Sequence, residues 1–200
     1  MSLTKLMAMR QAWGEQELYI KDPYAKSVME ERFGKLTLNK VRAVKIMLNN
    51  DKRPLDHLFV GSDKLTSFTE IQHFTRLEQM RSTFYNCPNL GGTLTIPASV
   101  YYIGGACFFN TQLMGIEFLA QTFKWGHGMI WKCPKLEWVK IHAVEVPQKF
   151  TPNNQYMFDF AIPHKTWKLY VPDGSVDKYR TDHNFANLGE RIRPMSEFKE

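Results

Sequence analysis

Five sets of side chains recur at one interval in the middle of the chain, and no other feature restricts the fold as tightly. Leu77, Val100 and Phe123 are spaced 23 residues apart, and so are Met80 and Ile103. Phe84, Cys107 and Ile130 keep the interval, as do Cys87, Asn110 and Cys133, and Leu90, Leu113 and Leu136. The local text agrees: Phe84-Tyr85-Asn86-Cys87-Pro88-Asn89-Leu90 returns as Ile130-Trp131-Lys132-Cys133-Pro134-Lys135-Leu136, with Cys107-Phe108-Phe109-Asn110-Thr111-Gln112-Leu113 between them. A fixed period of this length is the signature of a stacked repeat architecture.

After each anchor leucine comes a short β-prone run: Leu94–Ile96, Ile116–Phe118 and Trp138–Ile141, with a fourth at Lys168–Val171. Pro97 and Pro172 end two of them, as expected where a ladder N–H is missing. One unit of about 23 residues with one short strand cannot cover its own apolar face, whereas stacked units can. The spacing therefore predicts a solenoid, α/β or mostly β, with short parallel strands along one side. Leu90, Leu113 and Leu136 should line its interior, Phe84 and Phe108 should fill the space opposite the sheet, and Cys87, Asn110 and Cys133 should point inward. A chain of 200 residues with 44% apolar and 14% aromatic side chains has the material for such a core.

The order Phe84, Cys87, Leu90, Leu94, Ile96, Pro97, Ser99, Val100, Ile103, Gly104, Ala106, Phe108 resembles the repeat unit of the BspA-type leucine-rich repeat proteins of gut and oral bacteria. An insertion around Gly91-Gly92 interrupts the spacing. Leu65 to Phe74 resembles the lead-in to a first repeat of that family, Leu169 to Tyr179 its closing unit, and Ile192 to Met195 its final strand. Trp125-Gly126-His127-Gly128 reads as irregular for the repeat, and residues 142–167 carry no clean anchor. The resemblance implies a leucine-rich repeat solenoid over residues 63–198 with a C-terminal capping unit. It also implies a cell-surface or secreted setting, with a cytoplasmic one left open.

Residues 1–62 are expected to form a helical N-terminal cap, since a solenoid needs covers over its terminal coils. Asp22-Pro23 marks a helix start, Tyr24, Val28 and Met29 share one face, and Gly34 ends the helix. Thr37 caps a second helix through Lys40, Val41, Val44, Lys45 and Leu48; residues 1–21 either continue as helix or fray. The link Phe33-Gly34-Lys35-Leu36-Thr37 lacks the acidic ligands of a calcium loop. At the other end Ser175 is a candidate N-cap, and Tyr179 and Phe185 are candidate lid residues.

Charge narrows the function classes. Residues 1–81 hold 14 basic and 10 acidic side chains, 82–123 hold no Lys or Arg and one acid, Glu117, and 124–200 hold 12 basic and 9 acidic. The net +6 is thus spread thinly over both ends and reads as solubility charge, not a nucleic-acid stripe. No run is apolar enough to span a membrane. The N-terminus has too short an apolar stretch for a signal peptide, so either the protein stays in its cell or a leader is missing from this sequence.

The chemistry of catalysis finds little support. The six histidines form no H-x-x-x-H or H-E-x-x-H pair. Cys87, Cys107 and Cys133 occupy core registers, which argues against a nucleophile or a metal set. Asp173, Asp177 and Asp182 form no paired-carboxylate motif. Gly91-Gly92 and Gly104-Gly105 lack the Lys-Ser or Lys-Thr of a phosphate loop and read as turn glycines. No catalytic residue, cofactor or metal is expected. Aromatic side chains beside the strands are the better lead, because exposed aromatics mark recognition surfaces. Trp138, with Lys140 two residues on and Glu117 on the equivalent strand, is the preferred candidate surface, with Tyr101 and Trp125 as further members. The expected function is non-catalytic recognition or adhesion toward a host or bacterial surface protein or glycan. The alternative is a structural subunit or spacer of a larger surface or phage assembly. An enzyme needs a cleft with titratable groups near His127 or His142, and a nucleic-acid binder needs a basic stripe joining the two ends. Oligomeric state is not legible.

Overall fold

In a computed structural model, which describes residues 2–44, 57–150, 157–158 and 166–199, the chain winds between two parallel β-sheets. Three helices come first: α1 (Leu3–Gly14), α2 (Pro23–Phe33) and α3 (Leu38–Ala43). The long sheet contains β2 (Gly91–Ile96), β4 (Gln112–Phe118), β6 (Trp138–Ile141), β8 (Lys168–Val171) and β9 (Ile192–Pro194), in that order. The short sheet contains only two-residue strands: β1 (Gln79–Met80), β3 (Tyr102–Ile103), β5 (Lys124–Trp125) and β7 (Gln148–Lys149). A single sheet along one side was expected; the second sheet corrects that.

Register follows the repeat. Gln79 pairs with Tyr102 and Met80 with Ile103; Ile116 pairs with Val139, and Leu169 with Ile192. Along β6 the buried residues Val139 and Ile141 alternate with the outward Trp138 and Lys140, the period-two pattern of a half-buried strand. The pairing of β2 with β4 shifts between Gly92 and Thr93, beside the expected insertion, where Gly92 takes φ +73°. Leu90, Leu113 and Leu136 are all buried, as are Leu77, Val100 and Phe123.

The third side of each coil is a turn held by backbone bonds to the next coil: Phe59 N–H to Thr83 O (3.2 Å), Phe84 N–H to Cys107 O (3.1 Å), Phe108 N–H to Met129 O (2.9 Å) and Ile130 N–H to Met157 O (3.1 Å). Rings of Phe59, Phe84 and Phe108 stack behind this ladder at 5.9 Å spacings. These contacts correct the middle unit by one residue: Phe84 is followed by Phe108, not Cys107. Likewise the inward series is Cys87, Thr111, Cys133. Thr111 Oγ1 lies 3.3 Å from Cys133 Sγ, and both groups bond the Phe108 carbonyl. Asn110 instead joins Asn86 and Lys132 in a left-handed turn position, at φ +53°, +56° and +54°, and its Nδ2 donates to Asn86 Oδ1 at 2.7 Å.

Trp125-Gly126-His127-Gly128, expected to be irregular, keeps the ladder. Gly126 N–H donates to Ile103 O (2.8 Å), as Gly104 N–H does to Met80 O (2.7 Å). Gly104, expected in a turn, is a close-approach glycine, as is Gly126; Gly105 lies in a turn as expected and is a close-approach glycine too. A Cβ on Gly126 would stand 2.2 Å from the Gly105 nitrogen, and one on Gly105 would stand 2.9 Å from the His127 oxygen.

The helices follow the caps read from the sequence. Asp22 accepts the Ala25 N–H (2.8 Å) at the head of α2, Gly34 closes it at φ +67°, and Thr37 accepts the Lys40 N–H (3.2 Å) at the head of α3. Lys45 and Leu48, expected in the second helix, lie outside the described residues. Asp22 does more than cap. Its second oxygen accepts from Thr66 N–H (2.8 Å), Thr66 Oγ1 (2.5 Å) and Ser67 N–H (3.2 Å). Thr66 O in turn accepts the Gly91 N–H (3.0 Å), so the carboxylate ties the helices to the first strand of the long sheet. Burial pushes the Asp22 carboxyl up, but the Thr66 hydroxyl and the three amides outweigh it and hold the group below the usual carboxylate range.

At the far end α4 (Val176–Thr181) follows a single 3-10 turn. Ser175 occupies its N-cap position, yet the hydroxyl makes no capping bond, against expectation. Tyr179 and Phe185 are buried and meet edge to face at 5.3 Å, and the Tyr179 hydroxyl donates to Ala143 O (2.8 Å). One apolar cluster runs from Leu18 through Met29 and Phe108 to Ile192. No helix among the described residues is long and apolar enough to cross a membrane.

Candidate functional site

Parallel strands one coil apart set equivalent residues side by side, so outward positions of the long sheet form rows. Glu117 on β4 pairs with Lys140 on β6, and Lys140 with Tyr170 on β8; Gly115 pairs with Trp138, and Trp138 with Lys168. The anticipated trio Trp138, Lys140 and Glu117 therefore shares one face.

Two details shape that face. Gly115 leaves room for the Trp138 indole to lie against the β4 backbone: a Cβ at Gly115 would meet the ring at 2.2 Å. The C-terminal segment then crosses the face and sets Phe198 edge to face on Trp138 (5.1 Å) and Tyr170 (5.0 Å). Lys140 Nζ stands 3.5 Å over the Phe198 ring and 5.2 Å over Trp138. The Lys140 side chain is only 16% exposed, and each such cation–π contact contributes about 0.5–2 kcal/mol there. Glu117 balances the charge, with Oε1 at 3.9 Å from Lys140 Nζ and 2.9 Å from His142 Nε2. The result is a half-buried aromatic and charged patch, fixed in place by its neighbours before any partner arrives.

His142, Tyr170 and Phe198 complete this patch and were not singled out for it. His142 was legible: it is the next outward position after Trp138 and Lys140 at period two. Phe198 was not, because nothing local in the sequence says which face a terminal segment crosses.

The other two candidates lie elsewhere. Tyr101 stands beside the short sheet, 41% exposed, and its hydroxyl accepts from Gln79 Nε2 at 2.7 Å. Trp125 is a correction. It is wholly buried on the inward side of β5, its Nε1–H donates to Pro147 O (3.0 Å), and it packs edge to face on Phe185 (6.5 Å). It is core, not surface.

The three thiols form no disulfide and are buried. Cys87 Sγ–H donates to Phe59 O at 2.9 Å, and burial pushes its pKa up to about 11, the reverse of what a nucleophile needs. Among the described residues no group of three or more His, Cys, Asp or Glu stands close enough to hold a metal ion.

A family model described as the BspA type leucine-rich repeat region, in six copies, matches residues 26–137 and 78–171. No curated protein and no solved structure matches the chain.

Proposed function

The chain belongs to the BspA-type leucine-rich repeat family, and from that premise we propose that it is a non-catalytic recognition module whose contact surface is the outer face of the long sheet. Leucine-rich repeat domains generally mediate protein–protein contacts, and stacked repeats offer extended faces, not deep clefts. The observation that carries the reading is the patch of Trp138, Lys140, Glu117 and His142, with Tyr170 buried against Phe198. Aromatic and cationic side chains there are pre-positioned by the pairing of three adjacent strands, which lowers the ordering cost of binding.

On this reading residues 63–198 form a solenoid of coils about 23 residues long, and residues 1–62 are its cap; pairings such as Gln79 with Tyr102 and Leu169 with Ile192 support that period. The setting we assign is the cell surface or the extracellular space, and the partner a host or bacterial surface protein or a glycan. A binding screen of the whole chain against purified matrix proteins and a glycan array tests it. Binding that weakens about tenfold or more in Lys140→Glu supports the reading. A screen that enriches nothing, together with discrete oligomers by light scattering, moves the assignment to a structural subunit.

A further inference from the structure

The segment that crosses the long sheet's outer face shows what that face accepts. The strand β9 ends at Pro194, where its pairing with β8 also ends, and a single 3-10 turn, Met195–Glu197, leads into Phe198. Beneath lies a row across four strands, in which Glu117 pairs with Lys140, Lys140 with Tyr170 and Tyr170 with Arg193. Phe198 rests edge to face on Tyr170 and Trp138, with the Lys140 ammonium 3.5 Å over its ring. Its neighbour Glu197 accepts from Arg193 Nε at 2.7 Å. Two successive side chains, an acid and an aromatic, thus engage the two cations that flank Tyr170. We propose that the partner's contact element is a segment of the same chemistry, an acidic residue followed directly by an aromatic one, which binds by displacing Glu197 and Phe198. The inference rests on the long sheet's outer face being the recognition surface, and it names the chemistry that face selects.

The covering segment is lightly held. None of residues 195–199 is buried. Besides the ring contacts and the Arg193 pair, its tie to the body is the Asp173 carboxylate, which accepts the Ser196 N–H at 3.0 Å. What lies beneath is well covered: Tyr170 is 8% exposed. Lifting the segment opens the Tyr170 ring and takes the carboxylate from Arg193. The strands β6, β8 and β9 carry Lys140, Lys168 and Arg193 and no acid. Glu117 on β4 already serves both Lys140, at 3.9 Å, and His142, at 2.9 Å. The uncovered half of the face is therefore cationic around an aromatic floor. An acidic residue complements that charge, and an aromatic ring, unlike an aliphatic chain, is attracted to the ammonium above it. A basic segment would meet like charge, and an aliphatic one would forfeit the ammonium contact.

The test is titration calorimetry of the whole chain with the blocked peptide Met-Ser-Glu-Phe-Lys and with versions carrying Lys for Glu or Leu for Phe. Phe198→Ala vacates the ring's place, so it should bind the parent peptide about tenfold or more tighter than the native chain, whose own segment competes. The same variant should bind the Lys peptide about tenfold and the Leu peptide about threefold more weakly than the parent. Adding Lys140→Glu to Phe198→Ala should cost about tenfold for the parent peptide. Glu197→Ala, at an exposed side chain, keeps the test open if Phe198→Ala loses its fold; it should bind the parent peptide about twofold or more tighter than the native chain. Three results overturn the proposal: no peptide bound by either variant at about 10 mM, the Lys or Leu peptide bound as well as the parent, or a native chain that self-associates and becomes monomeric in Phe198→Ala, which makes a second copy the occupant. A matrix-protein or glycan partner whose affinity falls in Lys140→Glu but is unchanged in Phe198→Ala and Glu197→Ala would also overturn it, while leaving the recognition reading in place. Peptide binding as expected, beside a panel that enriches nothing, supports this inference and counts against the matrix-protein or glycan partner.

Discussion

The two sheets run through the same coils and are built on different principles. Strands of the long sheet reach seven residues in β4, and side chains alternate between core and face. Its order comes from apolar residues stacked on their equivalents, and its outer face remains open to aromatic and charged groups. Strands of the short sheet are two residues long, too short for alternation to define a face. There the backbone itself sets the spacing: Gly104, Gly105 and Gly126 have no side chain, so adjacent coils come into contact. One side of the coil therefore tolerates variation in what it displays, while the other is fixed by what it omits.

Glycine substitution is the sharpest way to break that contrast. Gly126→Ala drives a methyl into the Gly105 backbone at 2.2 Å, which cannot swing away. We expect a loss of about 3 kcal/mol or more, a fall in Tm of about 6–12 °C, read by calorimetry. If Gly126→Ala melts with the native chain, backbone contact does not set the short sheet's spacing.

Next in size is the anchor of the long sheet. Asp22→Ala removes the acceptor of four hydrogen bonds, including those that hold Thr66 against Gly91. It should cost about 2 kcal/mol at neutral pH in urea denaturation. Because the folded-state pKa is depressed, this contribution is full above the unfolded value of about 3.9 and is lost as pH falls through the folded value. The gap between native and variant should narrow accordingly in acid. A gap that widens in acid would contradict the sign.

Gly115→Ala is the counterpart of the first substitution on the long sheet. The new methyl again meets an atom at 2.2 Å, but that atom belongs to the Trp138 side chain, which can turn aside. The expected cost is about 1 kcal/mol, with a shift of the Trp138 indole N–H resonance as the ring leaves Phe198. A cost equal to that of Gly126→Ala would erase the distinction between the two sheets.

The turn side yields the smallest effect. Lys132 holds φ +54° in a position that asparagine fills in two other coils. Lys132→Gly should stabilise the chain by about 0.5 kcal/mol, since the relief of left-handed backbone slightly exceeds glycine's entropy cost. A lower Tm would mean that the Lys132 contact with Phe109, at 5.3 Å, outweighs the strain.

Legibility divides along the same line. The long sheet was readable because Leu94–Ile96, Ile116–Phe118 and Trp138–Ile141 carry alternation, and Pro97 and Pro172 end two of the four runs. Helix ends were readable because Asp22, Gly34 and Thr37 act through local geometry. The short sheet was hidden, as two residues such as Lys124-Trp125 do not reveal which side chain turns inward; that is why Trp125 passed for a surface residue. The middle repeat slipped by one because a strict interval set Asn110 against the cysteines. The turn in fact uses Asn110 for its left-handed backbone and Thr111 for the inward bond.

The most direct test of the recognition account compares two charge reversals against one partner taken from the panel of matrix proteins and glycans. Lys140→Glu alters the long sheet's outer face, and Lys132→Glu alters the turn side by the same charge. The account predicts a loss of about tenfold or more in affinity for the first and less than about twofold for the second. Equal losses, or the larger loss at Lys132, would contradict it.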